Sequence, residues 1–314
     1  MTRGTALYIL TRLLLISFTA LTVSSLVFIG VHQLPGNAFL NERRQNPAAE
    51  AALLHYYHLD LPWPQQYGLW LQGVFHGNLG ESLVNRGLEV TPLLLREAGN
   101  SATLGAAALV FTIGFGMLLG LMAAIRQNTW VDYVATTSAV IGFSIPSFVW
   151  ATLLVLLTVS GFYNWTGGAF YEDIGWGKLE QIPVPALCLG LPYASIVARL
   201  TRASMLEVIR QDYIRTAWAK GLKSRTVILR HALRNALIPV VTILAPLVTG
   251  IITGSVVIES IFGIPGLGKE FITSILTRDY NITIGVFTAY VALVGIANLM
   301  VDLTYPFLDP RIRY

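Results

Sequence analysis

Residues 263–270 read GIPGLGKE, which matches the nucleotide-binding pattern G-x-x-x-x-G-K-[ST] at every position but the last. In that pattern the backbone cradles phosphates, the Lys reaches them and a Ser or Thr hydroxyl holds Mg²⁺; Glu270 would instead push a carboxylate toward the phosphates. His55 and His58 in HYYH stand three apart, a metal-ligand spacing, without an evident third ligand to converge on the same ion. Glu259 and Asp302 are the ionisable groups nearest the apolar segments and the only candidates for a proton relay, although both are expected at interfaces. The chain holds no H-E-x-x-H and no G-x-S-x-G, so metalloprotease and serine-hydrolase chemistry have no sequence basis. The single cysteine, Cys188, lies in an apolar run and reads as a small buried hydrophobe.

What positions these residues follows from composition. Of 314 residues, 54% are apolar and 12% charged, about half the charged share of an average soluble domain. Asp, Glu, Lys and Arg are absent from residues 13–41, 98–125, 133–171, 181–198, 235–258 and 280–301. Each window approaches or exceeds the ~20 apolar residues that cross a hydrocarbon core as a helix. The expectation is an all-α polytopic membrane protein with six spans, at about 9–31, 102–125, 133–160, 183–203, 236–258 and 281–303. The GFYNWTGGAFY end of the third window reads as a wet connection, so one span is kept there. The first apolar run exceeds a signal-peptide core of ~7 to 15 residues and reads as a retained anchor. An ion-coupled transporter acting alone would want ionisable groups at mid-membrane, and the windows contain none. The net charge of +4 is small, and nucleic-acid binding is not indicated.

Six spans put both termini on one side. With that side cytoplasmic, 14 of the 21 Lys and Arg residues fall inside and 7 outside, and the segment between the fourth and fifth spans alone supplies nine. This is the positive-inside bias. GIPGLGKE then lies outside, away from any ATP pool. Gly263, Pro265, Gly266 and Gly268 would let the backbone turn sharply after Glu259, either as a plain connection or as a segment lining the outer mouth of a pathway.

The cationic segment is the most informative. Residues 199–241 read as a helix with Ala, Leu and Arg at helical spacing, a break at Gly221, a second helix carrying Arg230 and Arg234, and Pro239 before the fifth span. Ala217 and Ala219 permit close approach by a partner, Arg215 and Lys220 offer it charge, and Gly221 ends the helix. A helix this short is marginal unless something packs on it.

DYIRTAWAKGL followed by LRHALRNALIPVV resembles the coupling segment, the EAA loop, of membrane subunits of binding-protein-dependent ABC importers. HQLPGNAF, YYHLDLPWPQQYGLWL, HGNLGESL, IPSF, RLTRASMLEV, GSVVIESIFGIPGLG, RDY and the ending NLMVDLTYPFLDPRIRY are similar to the peptide branch in the same order. The resemblance covers essentially the whole chain and is strongest to B-type subunits of oligopeptide permeases in the peptide/nickel family. It implies a type I importer membrane-subunit fold in a bacterial inner membrane, with an N-terminal anchor and outer loop (1–97), a transmembrane domain (98–304) and a cytoplasmic tail (305–314). It also implies a coupling segment at about 207–235 whose helix, from Asp212 and Tyr213 through Arg215 to Gly221, docks on a cytoplasmic ATPase. The EAA triplet falls on Thr216, Ala217 and Trp218; Trp218 stands where the family has Arg, and the general motif's leading acid is missing. The implied partners are a homologous second permease subunit, two ATP-binding subunits, an extracytoplasmic substrate-binding protein and membrane lipids. ATP and Mg²⁺ belong to the partner ATPases and no cofactor to this chain, which is implied to be non-catalytic.

Three further features leave alternatives open. Gly116 with Gly120, and Gly250 with Gly254, allow close helix contact, with a sister subunit or within the chain. Pro146, Pro192 and Pro246 interrupt three spans, as kinks beside a pathway or as tolerated residues. The long segment after the first span, with QQYGLWLQGVF, suggests helices on the outer surface that dock a binding protein or pack over the outer mouth.

Overall fold

The computed structural model describes residues 3–33, 39, 47–157 and 175–308, with side chains of Arg3 and residues 305–308 outside the description. The described residues are helical with short turns and one isolated bridge between Glu81 and Glu89. In chain order the helices are α1 (Arg3–Gln33), α2 (Pro47–Tyr56), α3 (Trp63–Phe75), α4 (Val90–Ile125), α5 (Trp130–Ser144), α6 (Ser147–Leu156), α7 (Pro183–Ile209) and α8 (Asp212–Ala219). Then come α9, assembled from Ser224–Thr226, a π-helical turn Val227–Ala232, Leu233–Ala236 and Ile238–Thr242, followed by α10 (Leu244–Phe262), α11 (Leu267–Thr277) and α12 (Tyr280–Leu308).

Packing divides the chain into two units, residues 1–102 with 264–296 and residues 103–263 with 297–314. In the first, Phe28 and Val31 of α1 bury against Phe39, Leu83, Tyr280 and Ile284. Helix α3 starts after Pro62 with Pro64 in its first turn, where a missing N–H is harmless. It is pinned to α1 by polar contacts: the hydroxyls of Tyr67 and Ser25 lie 2.6 Å apart, and Gln66 Oε1 is 2.9 Å from His32 Nε2. The segment after the first span holds α2 and α3, while residues 78–89 form turns. Val90, Leu93 and Leu94 of α4 close a second cluster with Leu267, Ile282 and Val286. Asp279 caps α12 by accepting from the Ile282 N–H (3.2 Å) and also receives the Ser82 hydroxyl.

The second unit is built around α7, the most enclosed apolar helix, with 56% of its apolar window buried against 17% for α1. Glycines let its neighbours approach. A Cβ on Gly116 would lie 2.6 Å from the Ala194 carbonyl, one on Gly120 would collide with Ala198 O and Thr201, and one on Gly250 would sit 2.8 Å from the Tyr193 hydroxyl. Both small-residue pairs therefore face α7 of the same chain, and helix contact is made by backbone proximity. Gly142 of α5 does the same against Ser195.

Five helices are long and apolar enough to cross a membrane, and a sixth crossing is available from the α5–α6 pair. The third span, expected over 133–160 with Pro146 interrupting it, is two helices bent by 101°. Pro146 is the cause: Ile145 before it is extended, at ψ 123°, and α6 restarts with Pro146 as its N-cap. The fifth span, expected at 236–258, starts later, because the helix is interrupted at Leu237 and Ile243 and α10 runs from Leu244 to Phe262. Pro246 lies in the first turn of α10 and needs no kink, while Pro192 is carried inside α7. Residues 158–174, including GFYNWTGGAFY, and residues 309–314 of the tail lie outside the described residues.

Candidate functional site

Helix α8 has a two-residue footing. Ile214 and Ala217, one turn apart, are buried, and every other α8 residue is exposed. They rest on a cluster formed with Ala124 of α4, Met205 of α7, and Val227, Ala232 and Ala236 of α9. Tyr213 and Trp218, each 43% exposed, flank this footing, and Arg215, Thr216, Ala219 and Lys220 are exposed around the rest of the helix. The Asp212–Arg215 ion pair, 3.6 Å apart, joins two strongly exposed side chains and adds little to stability. Asn235 of α9 donates to the Tyr213 hydroxyl at 2.7 Å, tying the exposed face back to the following helix.

Gly221 ends α8 with both bonds of a Schellman motif: Gly221 N–H donates to Trp218 O (2.9 Å) and Leu222 N–H to Ala217 O (3.4 Å). Its φ is +74°, and an added Cβ would meet nothing within 4 Å. The position therefore needs glycine for its left-handed backbone and not for space. Leu222, the residue beyond, is 39% exposed and extends the apolar part of the surface. Behind α8 a cavity of ≈ 400 Å³ is lined by Trp218 and Ile214 together with Gln127, Leu206, Arg210 and Ile228.

One element of this region escaped the sequence reading. Arg202 of α7 makes a bidentate pair with Asp132 of α5, at 2.7 and 2.8 Å, and Asp132 also accepts from the Asn128 N–H (3.0 Å) and the Thr136 hydroxyl (3.3 Å). Asp132 is 3% exposed. The pair fastens the α4–α5 turn, which supplies Gln127 to the cavity wall, onto α7 just before the helix leads into α8. The available signal was an acid and a base flanking two charge-free windows, which charge counting assigns to topology alone.

Residues 116–314, from the last third of α4 to the C-terminus, match the family described as binding-protein-dependent transport system inner membrane component. The chain belongs to this family. It is 41% identical over 308 residues to the dipeptide transport system permease protein DppB of Bacillus subtilis, covering 98% of each chain. It is 40% identical over 299 residues to the oligopeptide transport system permease protein OppB of Escherichia coli, covering 95% of each. A solved structure titled as an amino acid ABC transporter with histidines aligns with 71% of this chain and 95% of its own, at 16% identity and a TM-score of 0.46.

In this inner membrane component GIPGLGKE has no phosphate cradle. The Leu267 N–H donates to Ser101 Oγ (2.9 Å), the Glu270 N–H to Gly266 O (3.1 Å), and Asn100 Nδ2 donates to Pro265 O (2.7 Å). Two of the backbone donors a phosphate would need, the Leu267 and Glu270 N–H groups, are therefore committed. Burial, with Asp279 adding to it, holds the Glu270 carboxyl above its ordinary range. Gly263 adopts a left-handed conformation (φ +67°) and closes α10 by donating to Glu259 O. Glu259, near the end of α10, is fully buried; Gly266 and Gly268 are buried, and Gly263 and Pro265 are exposed. Lys269→Ala is expected to leave nucleotide affinity of the assembled transporter unchanged, measured by titration with a fluorescent ATP analogue; a large loss would restore the nucleotide-site reading. His55 and His58 do not share a ligand face: His55 Nδ1 is 2.9 Å from Asp60 Oδ2, and His58 sits in the turn after α2 at φ +57°.

Proposed function

We propose that this chain forms half of the transmembrane pathway of an ABC importer for peptides, paired with a homologous permease subunit. Two cytoplasmic ATPase subunits would bind ATP and Mg²⁺, and an extracytoplasmic binding protein would deliver the substrate. The single observation that carries the reading is α8. A helix with two buried residues and an exposed Tyr213, Trp218 and Leu222 beside Arg215 and Lys220 has the anatomy of half an interface, an aromatic and apolar centre rimmed by charge. Its contact set is Asp212, Tyr213, Arg215, Thr216, Trp218, Ala219, Lys220 and Gly221; Ala217, expected to admit a partner closely, is instead buried in this chain's own core. Trp218 fills a groove by area where the family uses an Arg.

Closure of the ATPases shifts a two-state membrane element only if α8 contacts their two states differently. The nine cations of the segment around α8 support placing it, and both termini, in the cytoplasm. That topology requires the bent α5–α6 pair to count as one crossing. Gly263, Pro265, Gly266 and Gly268, with Glu259 at the end of α10, then belong to the outer side and are candidate parts of the outer gate.

Peptides as cargo rest on relatives named for dipeptides and for oligopeptides at 41% and 40% identity. We favour oligopeptides, because the motifs of the outer segment and fifth span resemble that branch; dipeptides, glutathione and nickel are the alternatives within the same architecture. The test is uptake into proteoliposomes holding the complete transporter, with binding protein, ATP, peptides of graded length and nickel. Peptide uptake that requires both ATP and binding protein is expected. Uptake of nickel without any peptide would overturn the assignment of cargo.

A further inference from the structure

Arg199 lies on α7 one turn before Arg202, yet it does not share the Asp132 carboxylate. Arg202 gives its guanidinium to Asp132, whereas Arg199 has its guanidinium carbon 5.0 Å from the Phe143 ring centroid and no carboxylate partner among the described residues. Both arginines line a cavity of ≈ 250 Å³ between α4, α5 and α7, whose walls include the small residues Gly120, Ala123, Ala135 and Ala139. With Asp132 neutralising Arg202, the cavity keeps one net positive charge. A cation inside a membrane span is costly unless it is met by an opposite charge, and it marks a site.

The depth of the cavity identifies what meets it. Trp130 and Tyr133, in the first turn of α5, are 74% and 66% exposed, the kind of side chain that collects at the membrane–water boundary. Asp132 in that turn contacts Arg202, while Gly142, further along α5, meets Ser195. Residue numbers falling along α7 therefore lead inward, and Arg199 sits about 4–5 Å inside Arg202. Beside it Phe143 is half exposed, and Leu118 and Met122 of α4 also leave apolar side chains exposed. We propose that this cavity holds the phosphate headgroup of an anionic phospholipid, with Arg199 as its ligand and the neighbouring apolar faces along its acyl chains. The cation–π contact with Phe143 is weaker than a charge-assisted bond to phosphate, so the guanidinium is available to turn to it.

The proposal does not depend on the cargo, and its readout is lipid binding, so it stands or falls separately from the transport assignment. The complete transporter, exchanged into phosphatidylglycerol or into phosphatidylcholine, is examined by native mass spectrometry. Retained phosphatidylglycerol on this chain is expected, with phosphatidylcholine lost. Arg199→Gln should lower occupancy about tenfold, and Arg199→Lys should recover most of it. Inorganic phosphate in large excess should not displace the lipid. Equal retention of the two lipids by the unaltered protein overturns the proposal without reference to any variant. Undiminished binding by Arg199→Gln, displacement by free phosphate, or no retained lipid because a partner chain covers Arg199 would each overturn it as well.

Discussion

Gly221→Val is expected to leave the protein inserted and assembled while ATP-driven uptake falls about tenfold or more. The reason is confined to the backbone. A left-handed conformation costs a residue with a Cβ about 1–2 kcal/mol, and a β-branched side chain suffers most. Escape from that conformation breaks the two bonds that end α8 and redirects Leu222. An energy of this size shifts the population of the docked geometry by roughly tenfold. Because an added Cβ meets nothing within 4 Å, crowding is excluded, and Gly221→Asn, which tolerates the left-handed region, should transport close to normally. The measurement is peptide uptake per ATP hydrolysed in proteoliposomes. If the Val and Asn variants behave alike, the left-handed turn has no part in coupling.

Asp132→Asn is expected to be the most destabilising single change among the polar residues near α8. It leaves Arg202 partly buried without its counter-charge, a loss of about 3 kcal/mol, at the low end for a buried pair because the Arg202 side chain is 30% exposed. The double variant Asp132→Asn with Arg202→Gln should cost little more than either single change, the signature of a direct pair. Thermal unfolding of the detergent-purified transporter reads this: the single variant should unfold several degrees lower, and additive losses in the double variant would show that the residues act independently. Uptake should fall with stability, since the pair anchors the turn that walls the cavity behind α8.

The positions of the membrane helices were largely legible from the chain because lipid imposes a local rule: some twenty residues without charge make a span wherever they occur. The α8 region was legible for a related reason. Its cations, aromatics and terminal glycine all lie within one stretch, so their chemistry can be read without knowing distant contacts; Ala217, read as open to a partner, is instead part of the buried footing, which distant residues complete. Other features were not local. Pro146 is visible in the sequence, but whether it bends, breaks or is absorbed depends on packing, and Pro146, Pro192 and Pro246 have three different outcomes. The partners of Gly116 and Gly250 were undecidable, since a small residue permits a close approach without naming what approaches.

By itself, then, the sequence determined the membrane class, the number of apolar crossings to within the α5–α6 pair, and the segment offered to a partner, because each follows from composition or spacing along a short run. Only the tertiary structure decided that α7 is the centre of its unit, that Asp132 belongs to Arg202 seventy residues away, that Arg199 meets no carboxylate among the described residues, and that the Leu267 and Glu270 N–H groups of GIPGLGKE are already hydrogen-bonded. Those four depend on which side chains meet across helices, and hydrophobic periodicity fixes only that a helix is buried, not which neighbour it is buried against.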